Sequence, residues 1–369
     1  MAGIASQAWS QRRLRAREYG IKIGVLPTGI HNAITDVAGV RVGHVTLREG
    51  NAIRTGVTAI LPHEGNVFQE KVPAAIYVGN GFGKLAGTTQ VQELGNLETP
   101  IILTNTLGVG TALDAVVGYV LQQSGNEQVQ SVNAVVGETN DGYLNDIRGR
   151  HITEAHVREA LQEARGGEVA EGNVGAGTGT VCFGFKGGIG TSSRRLPDAM
   201  GGYTVGVLVQ TNFGGVLQID GAPVGEGLKQ YFGSQHIQDS ADGSCMIIVA
   251  TDAPVDARNL ERMAKRGIMG LAKTGGIASN GSGDYVVAFS SHPGLRVPYA
   301  SSDKTQAVTL LRNEEMSPLF MAIIEATEEA IINSLFKAET TEGKEQHVVE
   351  ALPLDKVIRI LKQHRVIRK

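Results

Sequence analysis

The sequence predicts an α/β layered domain, in which short apolar strands are interleaved with amphipathic helices. Short apolar runs rich in β-branched residues recur along the whole chain, as expected for strands buried in a sheet. Between these runs, apolar residues return at helical spacing, so helices should cover the sheets. A length of 369 residues fits either one large domain or two, but no linker divides the chain. We therefore expect a single domain over residues 1–369.

The first half of the chain predicts mostly strands. Residues 79–87 are rich in glycine but lack the Gly-Lys-Ser/Thr ending of a phosphate-binding loop, so we interpret them as the wall of a pocket. Helical spacing of apolar residues predicts helices over residues 113–121 and 157–164. The predicted strands cover residues 21–23, 37–45, 57–61, 74–78, 100–104 and 132–136.

The second half alternates strands with longer helices. Residues 181–185 predict a strand that turns at residues 186–188 into another short strand. Asp256 is expected to cap a helix that ends near Gly275, and Ser317 to begin a long helix. Further strands are predicted over residues 203–210, 245–250 and 285–289, and a last helix over residues 354–361.

Charge and composition narrow the range of partners. Lys and Arg total 34 against 37 Asp and Glu, with no long run of one sign, so neither nucleic acid nor an anionic membrane is expected. A small-molecule substrate is expected instead. Cys182 and Cys245 are too few for a disulfide framework and lie in apolar runs, which predicts reduced thiols and a cytoplasmic location. The nine histidines show no spacing of the His-Glu-x-x-His type, so we expect no metal dependence.

The N-terminal segment is basic and contains Arg12, Arg13, Arg15 and Arg17. No apolar block in it is long enough for a signal peptide or a membrane span, so export is not expected. We expect a short basic arm that lies on a neighbouring subunit. An organelle-targeting peptide stays open as the alternative.

The junction between Gly243 and Ser244 is the main candidate for chemistry. A polar loop over residues 232–242 ends there, and the apolar run over residues 245–250 begins one residue later. Glycine tolerates a strained backbone, so the Ser244 hydroxyl could attack the Gly243 carbonyl and form an ester that water hydrolyses. The cut would free an α-amine with a pKa of about 7.7 to 8.0, which can take the hydroxyl proton of the same residue. The alternative is an ordinary turn, because Gly-Ser pairs are common and recur in this chain.

Other polar groups stand at the predicted ends of strands. Residues 137–146 are dense in polar side chains that could bind a ligand, although a solvated turn explains the same composition. Asn212 follows a predicted strand, and its amide could donate a hydrogen bond to an oxyanion. Ser282 and Asp284 stand two residues apart at the entrance of another strand, so both can face one side.

Five segments in a fixed order carry a family resemblance over nearly the whole chain. They are Asn32-Ala33-Ile34-Thr35-Asp36-Val37 with Val42-Gly43-His44, Gly79-Asn80-Gly81-Phe82-Gly83-Lys84, Gly137-Glu138-Thr139-Asn140-Asp141-Gly142, Gly243-Ser244, and Ser279-Asn280-Gly281-Ser282-Gly283-Asp284. Together they resemble the L-aminopeptidase/D-Ala-esterase/amidase family, which includes the β-peptidyl aminopeptidases. The resemblance implies a four-layer αββα sandwich like that of the N-terminal nucleophile hydrolases.

The resemblance also implies processing and catalytic roles. Members cleave themselves before a serine, which here would give residues 1–243 and 244–369 as two chains that stay associated, usually in a homotetramer. Ser244 matches the family nucleophile and Asn212 matches an oxyanion donor. Ser282 and Asp284 match the pair that assists the nucleophile.

The substrate-binding residues are less closely defined by the resemblance. Glu138 matches an acidic residue near the ammonium group of the substrate. Some members have an aromatic residue where Asn140 stands here, with Tyr143 nearby, and others have Glu in place of Asp284. These differences leave the size and stereochemistry of the substrate open.

The implied activity is that of an aminopeptidase acting on short peptides, amides or esters with a free N-terminal amine, through an acyl-enzyme on Ser244 and without a cofactor. An acyltransferase of the ornithine acetyltransferase type is an alternative, but that family has threonine at the cleavage point. A non-catalytic binding protein of the same fold is a second alternative. The joint presence of Ser244, Asn212, Ser282 and Asp284 weighs against it.

Overall fold

The computed structural model describes residues 13–234 and 243–367. Within them, the strands are β1 (Arg41–Glu49), β2 (Ile53–Leu61), β3 (Glu70–Gly81), β4 (Leu85–Ala86), β5 (Asn96–Leu97), β6 (Ile101–Asn105), β7 (Val135–Thr139), β8 (Val181–Cys182), β9 (Phe185–Lys186), β10 (Gly188–Arg195), β11 (Thr204–Asn212), β12 (Ser244–Thr251), β13 (Gly283–Ser290), β14 (Val297–Pro298), β15 (Thr341–Glu342) and β16 (Val348–Val349). The α-helices are α1 (Thr88–Leu94), α2 (Val109–Leu121), α3 (Glu154–Gln162), α4 (Val224–Leu228), α5 (Ala257–Lys273), α6 (Ser317–Lys337) and α7 (Leu354–Gln363).

Two large sheets form the centre of the molecule. One has five strands in the order β1-β2-β6-β7-β4, and the other has the order β10-β11-β12-β13-β3-β14 with β5 paired to β3. Most neighbouring strands are antiparallel, but β6 pairs with β7 and β12 pairs with β13 in parallel. The small hairpins β8-β9 and β15-β16 form separate two-stranded sheets.

The two sheets pack face to face and carry helices on their outer sides. One core cluster lies between the sheets and combines Ile60 and Leu103 of the first with Leu208 and Ile248 of the second. A second cluster lies between the seven-stranded sheet and helices α5 and α6, and a third lies between the five-stranded sheet and helices α2 and α3. The layer order confirms the predicted four-layer αββα sandwich.

Strand β12 shows how side-chain alternation assigns residues to these layers. Cys245 and Ile247 pack toward the outer helices, whereas Met246 and Ile248 pack between the sheets. Every residue of β12 is buried. An unbroken apolar run is what a strand covered on both faces requires.

The predicted helices are confirmed, but the strand predicted over residues 21–23 and the turn predicted at residues 186–188 are wrong. The described residues 21–23 form no strand. Ile21 and Ile23 are nevertheless fully buried, because they pack into the cluster under the outer helices. The turn predicted at residues 186–188 lies instead at Phe183 and Gly184, whose φ values are 53° and 77°. Positive φ is uncommon for a non-glycine residue, so the sequence gives little sign of a turn at Phe183.

The described part of the N-terminal arm lies on its own chain. Arg13 donates a hydrogen bond of 2.8 Å to the carbonyl of Phe336, and Arg17 forms an ion pair of 2.7 Å with Glu329, both on α6. Arg13 and Arg17 therefore contact α6 of their own chain, and contact of the arm with a neighbouring subunit stays a prediction. Arg12 lies outside the described residues, as does the rest of the arm.

Strands from both sides of Gly243 alternate in the seven-stranded sheet. β10, β11 and β3 precede this residue, whereas β12, β13 and β14 follow it, so β12 pairs with β11 and β3 pairs with β13. A buried ion-pair network adds to these ladders. Arg194 on β10 contacts Glu325 and Glu329 on α6 at 3.0 Å and 2.8 Å.

Candidate active site

Three strand ends meet at one edge of the seven-stranded sheet. Asn212, the last residue of β11, pairs with Ser244, the first residue of β12. Ser244 also pairs with Gly283, the first residue of β13. The strand-end positions predicted for Asn212 and Ser244 are confirmed, and the fold brings them side by side.

The Ser244 hydroxyl is buried and has a backbone partner. The amide of Gly283 donates a hydrogen bond of 3.1 Å to Ser244 Oγ. Among the described residues, neither Ser282 nor Asp284 forms a direct hydrogen bond with this hydroxyl. The residue between them does, so the pair predicted to assist Ser244 lies on both sides of its observed partner.

Gly243 approaches strand β11 too closely for a side chain. A Cβ at this position would lie 2.0 Å from the carbonyl oxygen of Asn212 and 2.6 Å from the Cα of Phe213. Any other residue would push the Gly243–Ser244 bond away from Asn212. The predicted loop before this bond falls largely on residues 235–242, which lie outside the described residues.

The side chain of Asn212 has a fixed orientation. Its Oδ1 accepts a hydrogen bond of 2.9 Å from the amide of Val181 on β8, and the amide of Phe183 donates to the carbonyl of Phe213 at 2.7 Å. The β8-β9 hairpin therefore holds both residues. Oδ1 is thus used as an acceptor, which leaves Nδ2 as the donor of the amide. Nδ2 forms no hydrogen bond within residues 13–234 and 243–367.

Ser282 and Asp284 carry buried polar atoms that lack partners. Both residues are 1% exposed, and neither the Ser282 hydroxyl nor the two Asp284 carboxylate oxygens form a hydrogen bond of normal geometry with any described residue. Burial raises the pKa of Asp284 to about 6, against the weaker opposing effect of the Ser282 hydroxyl and the Cys245 amide. Such unpaired groups with a shifted pKa are typical of functional sites.

Glu138 belongs to the other sheet and is also buried. It lies within β7 and not in the loop that the sequence predicts over residues 137–146. Its Oε1 accepts a hydrogen bond of 2.9 Å from the amide of Lys84, and its Oε2 accepts one from the Thr106 hydroxyl. These two donors fix the carboxylate without neutralising its charge.

Close backbone approaches place Glu138 near the strand ends. A Cβ on Gly137 would lie 2.5 Å from Met246 Cε, close to the start of β12. A Cβ on Gly283 would lie 2.6 Å from Gly83 Cα, and one on Gly83 would lie 3.1 Å from Glu138 Oε1. The glycine-rich segment predicted as a pocket wall therefore separates the carboxylate from the start of β13.

Asn140 and Tyr143 lie in the exposed turn after β7. Asn140 Oδ1 accepts a hydrogen bond of 2.9 Å from the amide of Gly142, which is the solvated turn considered as the alternative for this segment. The Tyr143 ring stacks on His347 with centroids 4.4 Å apart. Among the described residues, neither side chain forms a hydrogen bond or ring contact with Ser244.

Sequence reasoning missed three residues that support the site. Thr106 binds Glu138, and Val181 binds Asn212 through its backbone, which no side-chain pattern reveals. Lys186 on β9 is fully buried, and its Nζ donates to the carbonyls of Gly177 and Gly187. Burial lowers the pKa of Lys186 to about 7. One sign of this residue is visible in the sequence, since Lys186 is a single charged residue in the otherwise apolar run after Cys182.

Residues 13–234 and 243–367 contain neither a metal-binding cluster nor a membrane-spanning helix. In this part of the chain, no group of three or more His, Cys, Asp or Glu side chains is placed to hold a metal ion. None of its helices combines the length and apolar character needed to cross a bilayer. Cys182 and Cys245 are both buried and unpaired.

Comparisons with known proteins agree in sequence and structure. The model of peptidase family S58 matches residues 32–349. The β-peptidyl aminopeptidase BapA of Sphingosinicella microcystinivorans is 42% identical over an alignment of 376 residues, which covers 95% of this chain and 92% of that protein.

Two solved structures show the same similarity in three dimensions. The PH0078 protein of Pyrococcus horikoshii OT3 has a TM-score of 0.88 and 49% identity, covering 95% of this chain and 99% of that one. The L-aminopeptidase/D-Ala-esterase/amidase of Ochrobactrum anthropi has a TM-score of 0.88 and 35% identity, covering 96% and 99%. The latter is described as a prototype of the serine aminopeptidases with a variant of the Ntn hydrolase fold.

Proposed function

Because the chain belongs to peptidase family S58 and is a hydrolase, we propose that it is a self-processing serine aminopeptidase with Ser244 as its N-terminal nucleophile. It releases the N-terminal residue from short peptides, amides or esters that carry a free amine. The names of its relatives support this range, since they include a β-peptidyl aminopeptidase and an L-aminopeptidase/D-Ala-esterase/amidase.

One observation carries the proposal. The Gly243–Ser244 bond lies against the backbone of Asn212, with Ser244 paired to Asn212 on one side and to Gly283 on the other. The Gly243–Ser244 bond, which only glycine allows to approach Asn212 so closely, therefore lies beside both the Ser244 hydroxyl and the residue that carries the amide donor. That arrangement suits attack of a hydroxyl on the preceding carbonyl.

Maturation follows from this geometry in two steps. The Ser244 oxygen attacks the Gly243 carbonyl carbon, its proton passes to the departing Ser244 nitrogen, and the peptide bond is replaced by an ester. Water then hydrolyses the ester, which leaves a carboxylate on Gly243 and both a hydroxyl and a free α-amine on Ser244. The products are residues 1–243 and 244–369.

Turnover uses the same hydroxyl on a different carbonyl. The Ser244 α-amine takes the hydroxyl proton, the oxygen attacks the substrate carbonyl, and the leaving amine receives the proton. Asn212 Nδ2 donates to the oxyanion, and water releases the acyl group. Ser282 and Asp284 supply the hydrogen bonds that orient the α-amine. The absence of partners for their side-chain oxygens among the described residues supports this role.

Glu138 is the proposed binding residue for the substrate ammonium group. Its buried carboxylate is fixed by Lys84 and Thr106, and Gly83 lies between it and the start of β13. Asn140 and Tyr143 are proposed as the outer part of the same substrate site, since they follow Glu138 in the exposed turn after β7.

The oligomeric state and the cellular location are proposed on separate grounds. A tetramer of processed pairs is supported by exposed apolar side chains such as Val25 and Leu94, which are 83% and 63% exposed. Light scattering tests this state. A cytoplasmic location is supported by the buried, unpaired Cys182 and Cys245.

Intact-mass analysis of the purified protein tests self-processing. Wild type should appear as two fragments that separate at Gly243, without any added protease. Ser244→Ala should stay at full length and be inactive, and Ser244→Cys should cut slowly because a thiol can also attack the carbonyl. A full-length species with wild-type peptidase turnover would overturn the proposal.

Substrate tests separate the aminopeptidase from its alternatives. Amides with a free N-terminal amine should be hydrolysed much faster than the same amides after N-acetylation. Equal rates would indicate a general amidase. The acyltransferase alternative predicts transfer to an added amine in preference to water, and the matches to peptidases do not favour it.

A further inference from the structure

Three consecutive residues connect the two halves of the proposed site. Phe82, Gly83 and Lys84, here called the 82–84 bridge, follow the end of β3. The amide of Phe82 donates a hydrogen bond of 3.2 Å to the carbonyl of Ser282, beside the residue that binds the Ser244 hydroxyl. The amide of Lys84 donates to Glu138 Oε1 at 2.9 Å. The bridge is anchored at both ends.

The middle of the bridge is held by packing. A Cβ on Gly83 would lie 2.9 Å from the Tyr285 ring, 3.1 Å from Gly283 Cα and 3.1 Å from Glu138 Oε1. This crowding leaves no room for the bridge to move toward β13. The position of its backbone relative to Ser244 and Glu138 is therefore fixed.

Phe82 combines an anchored backbone with an exposed side chain. Its backbone is tied to the strand ends, yet its side chain is 65% exposed. The ammonium of Lys84 lies 5.8 Å from the centroid of the Phe82 ring. An immobilised backbone thus presents an apolar ring with a positive charge beside it, at the site where a substrate would bind.

The course of the bridge indicates what would cover this ring. In the proposed function, on which this inference rests, the substrate ammonium binds Glu138 and its carbonyl meets Ser244. The atoms between these two groups must then run along the bridge. A side chain on the N-terminal residue of the substrate leaves from that same stretch.

We propose that Phe82 is a specificity-determining residue, whose ring packs against the side chain of the N-terminal residue of the substrate and favours apolar side chains. Lys84 adds a second element of selection. Its charge disfavours lysine and arginine at the same position, because like charges repel at short range.

The test compares N-terminal residues on one leaving group. Gly, Ala, Leu, Phe and Lys p-nitroanilides, or their D- or β-amino acid counterparts if wild type prefers those, are assayed with wild type, Phe82→Ala and Phe82→Leu. In Phe82→Ala, kcat/KM for the Leu and Phe substrates should fall about 10-fold or more relative to the Gly substrate. Phe82→Leu should retain most of the preference. Lys84→Met should raise kcat/KM for the Lys substrate selectively.

Ile30→Ala is the matched control for removing an exposed apolar side chain. Ile30 is 95% exposed, and its neighbour Gly29 binds Ser193, which pairs with Gly206 near the opposite end of β11 from Asn212. This variant should leave the substrate ranking unchanged. Melting temperature and intact mass of every variant check that it folds and is processed.

The outcomes separate this inference from the proposed function. If wild type hydrolyses N-acetylated substrates as fast as free amines, the proposed function fails first. If wild type requires the free amine but Phe82→Ala keeps the wild-type ranking, or loses activity equally on all substrates, only the role of Phe82 is overturned. An equal loss together with a change in oligomer size would assign the ring to contact with a second copy.

Discussion

Replacement of Gly243 by alanine should block maturation by displacing the bond that is cut. The new Cβ would lie 2.0 Å from the carbonyl oxygen of Asn212, whereas an ordinary contact needs about 3.4 Å, so one strand end must shift by about 1.4 Å. Attack on a carbonyl requires the reacting atoms to lie about 3 to 3.5 Å apart, and a misplacement of about 1 Å can cost about 100-fold. We therefore expect Gly243→Ala to be processed at least about 100-fold more slowly than wild type.

The rate is measured as the fraction of cut chain against time, by denaturing electrophoresis and intact mass after a synchronised start of folding. Activity per cut molecule should remain that of wild type, because the altered residue becomes a chain end after cleavage. Gly110→Ala is the control, since a Cβ at that position on α2 meets nothing within 4 Å. Processing of Gly243→Ala at the wild-type rate would refute the argument from close approach.

Four further substitutions test the site and its support. Asn212→Ala should lower kcat about 10²- to 10³-fold by removing an oxyanion donor; processed Asn212→Ala and Asp284→Ala proteins that both keep wild-type kcat would refute the assignment. Glu138→Gln should lower kcat/KM for free-amine substrates about 10- to 100-fold, since a charge-assisted hydrogen bond contributes about 1.5 to 3 kcal/mol, and should leave slow hydrolysis of N-acetylated substrates unchanged. Burial lowers the pKa of Lys186 to about 7 in the folded chain, against 10.5 in the unfolded chain. Between these two pH values the unfolded state binds more protons than the folded state. The free energy of unfolding therefore rises with pH, by up to about 1.4 kcal/mol per pH unit. Calorimetry from pH 7 to 8.5 should show that Lys186→Met loses this slope, and an unchanged slope would show that Lys186 stays charged.

Several strand ends could be predicted because their causes are local. The apolar run after Ser244 coincides with β12, and β11 ends at Asn212, where the sequence changes from apolar to polar residues. Asp256 also acts as predicted, since its side chain accepts from the Asn259 amide at the start of α5. Each of these features depends on residues close in sequence.

Other features depend on distant backbone and were not predictable. Gly243 is required because Asn212 lies against it, although the two are far apart in the sequence. Glu138 is buried in β7 because Lys84 and Thr106 supply donors from other segments, so its polar surroundings suggest a loop where the structure has a strand. The turn at Phe183 follows from the same kind of constraint, because the hairpin must reach Phe213.

The alternation of strands around Gly243 changes the reaction order of unfolding once the chain is cut. The intact chain unfolds and refolds as one molecule, and the covalent link holds β11 and β12 at a high effective concentration. After a cut, unfolding releases two chains whose strands are interleaved in one sheet, so the melting temperature depends on protein concentration and refolding becomes a second-order reaction. The uncut chain can thus refold on its own, whereas the cut protein refolds only when its two chains meet. The fold therefore forms most readily before the cut.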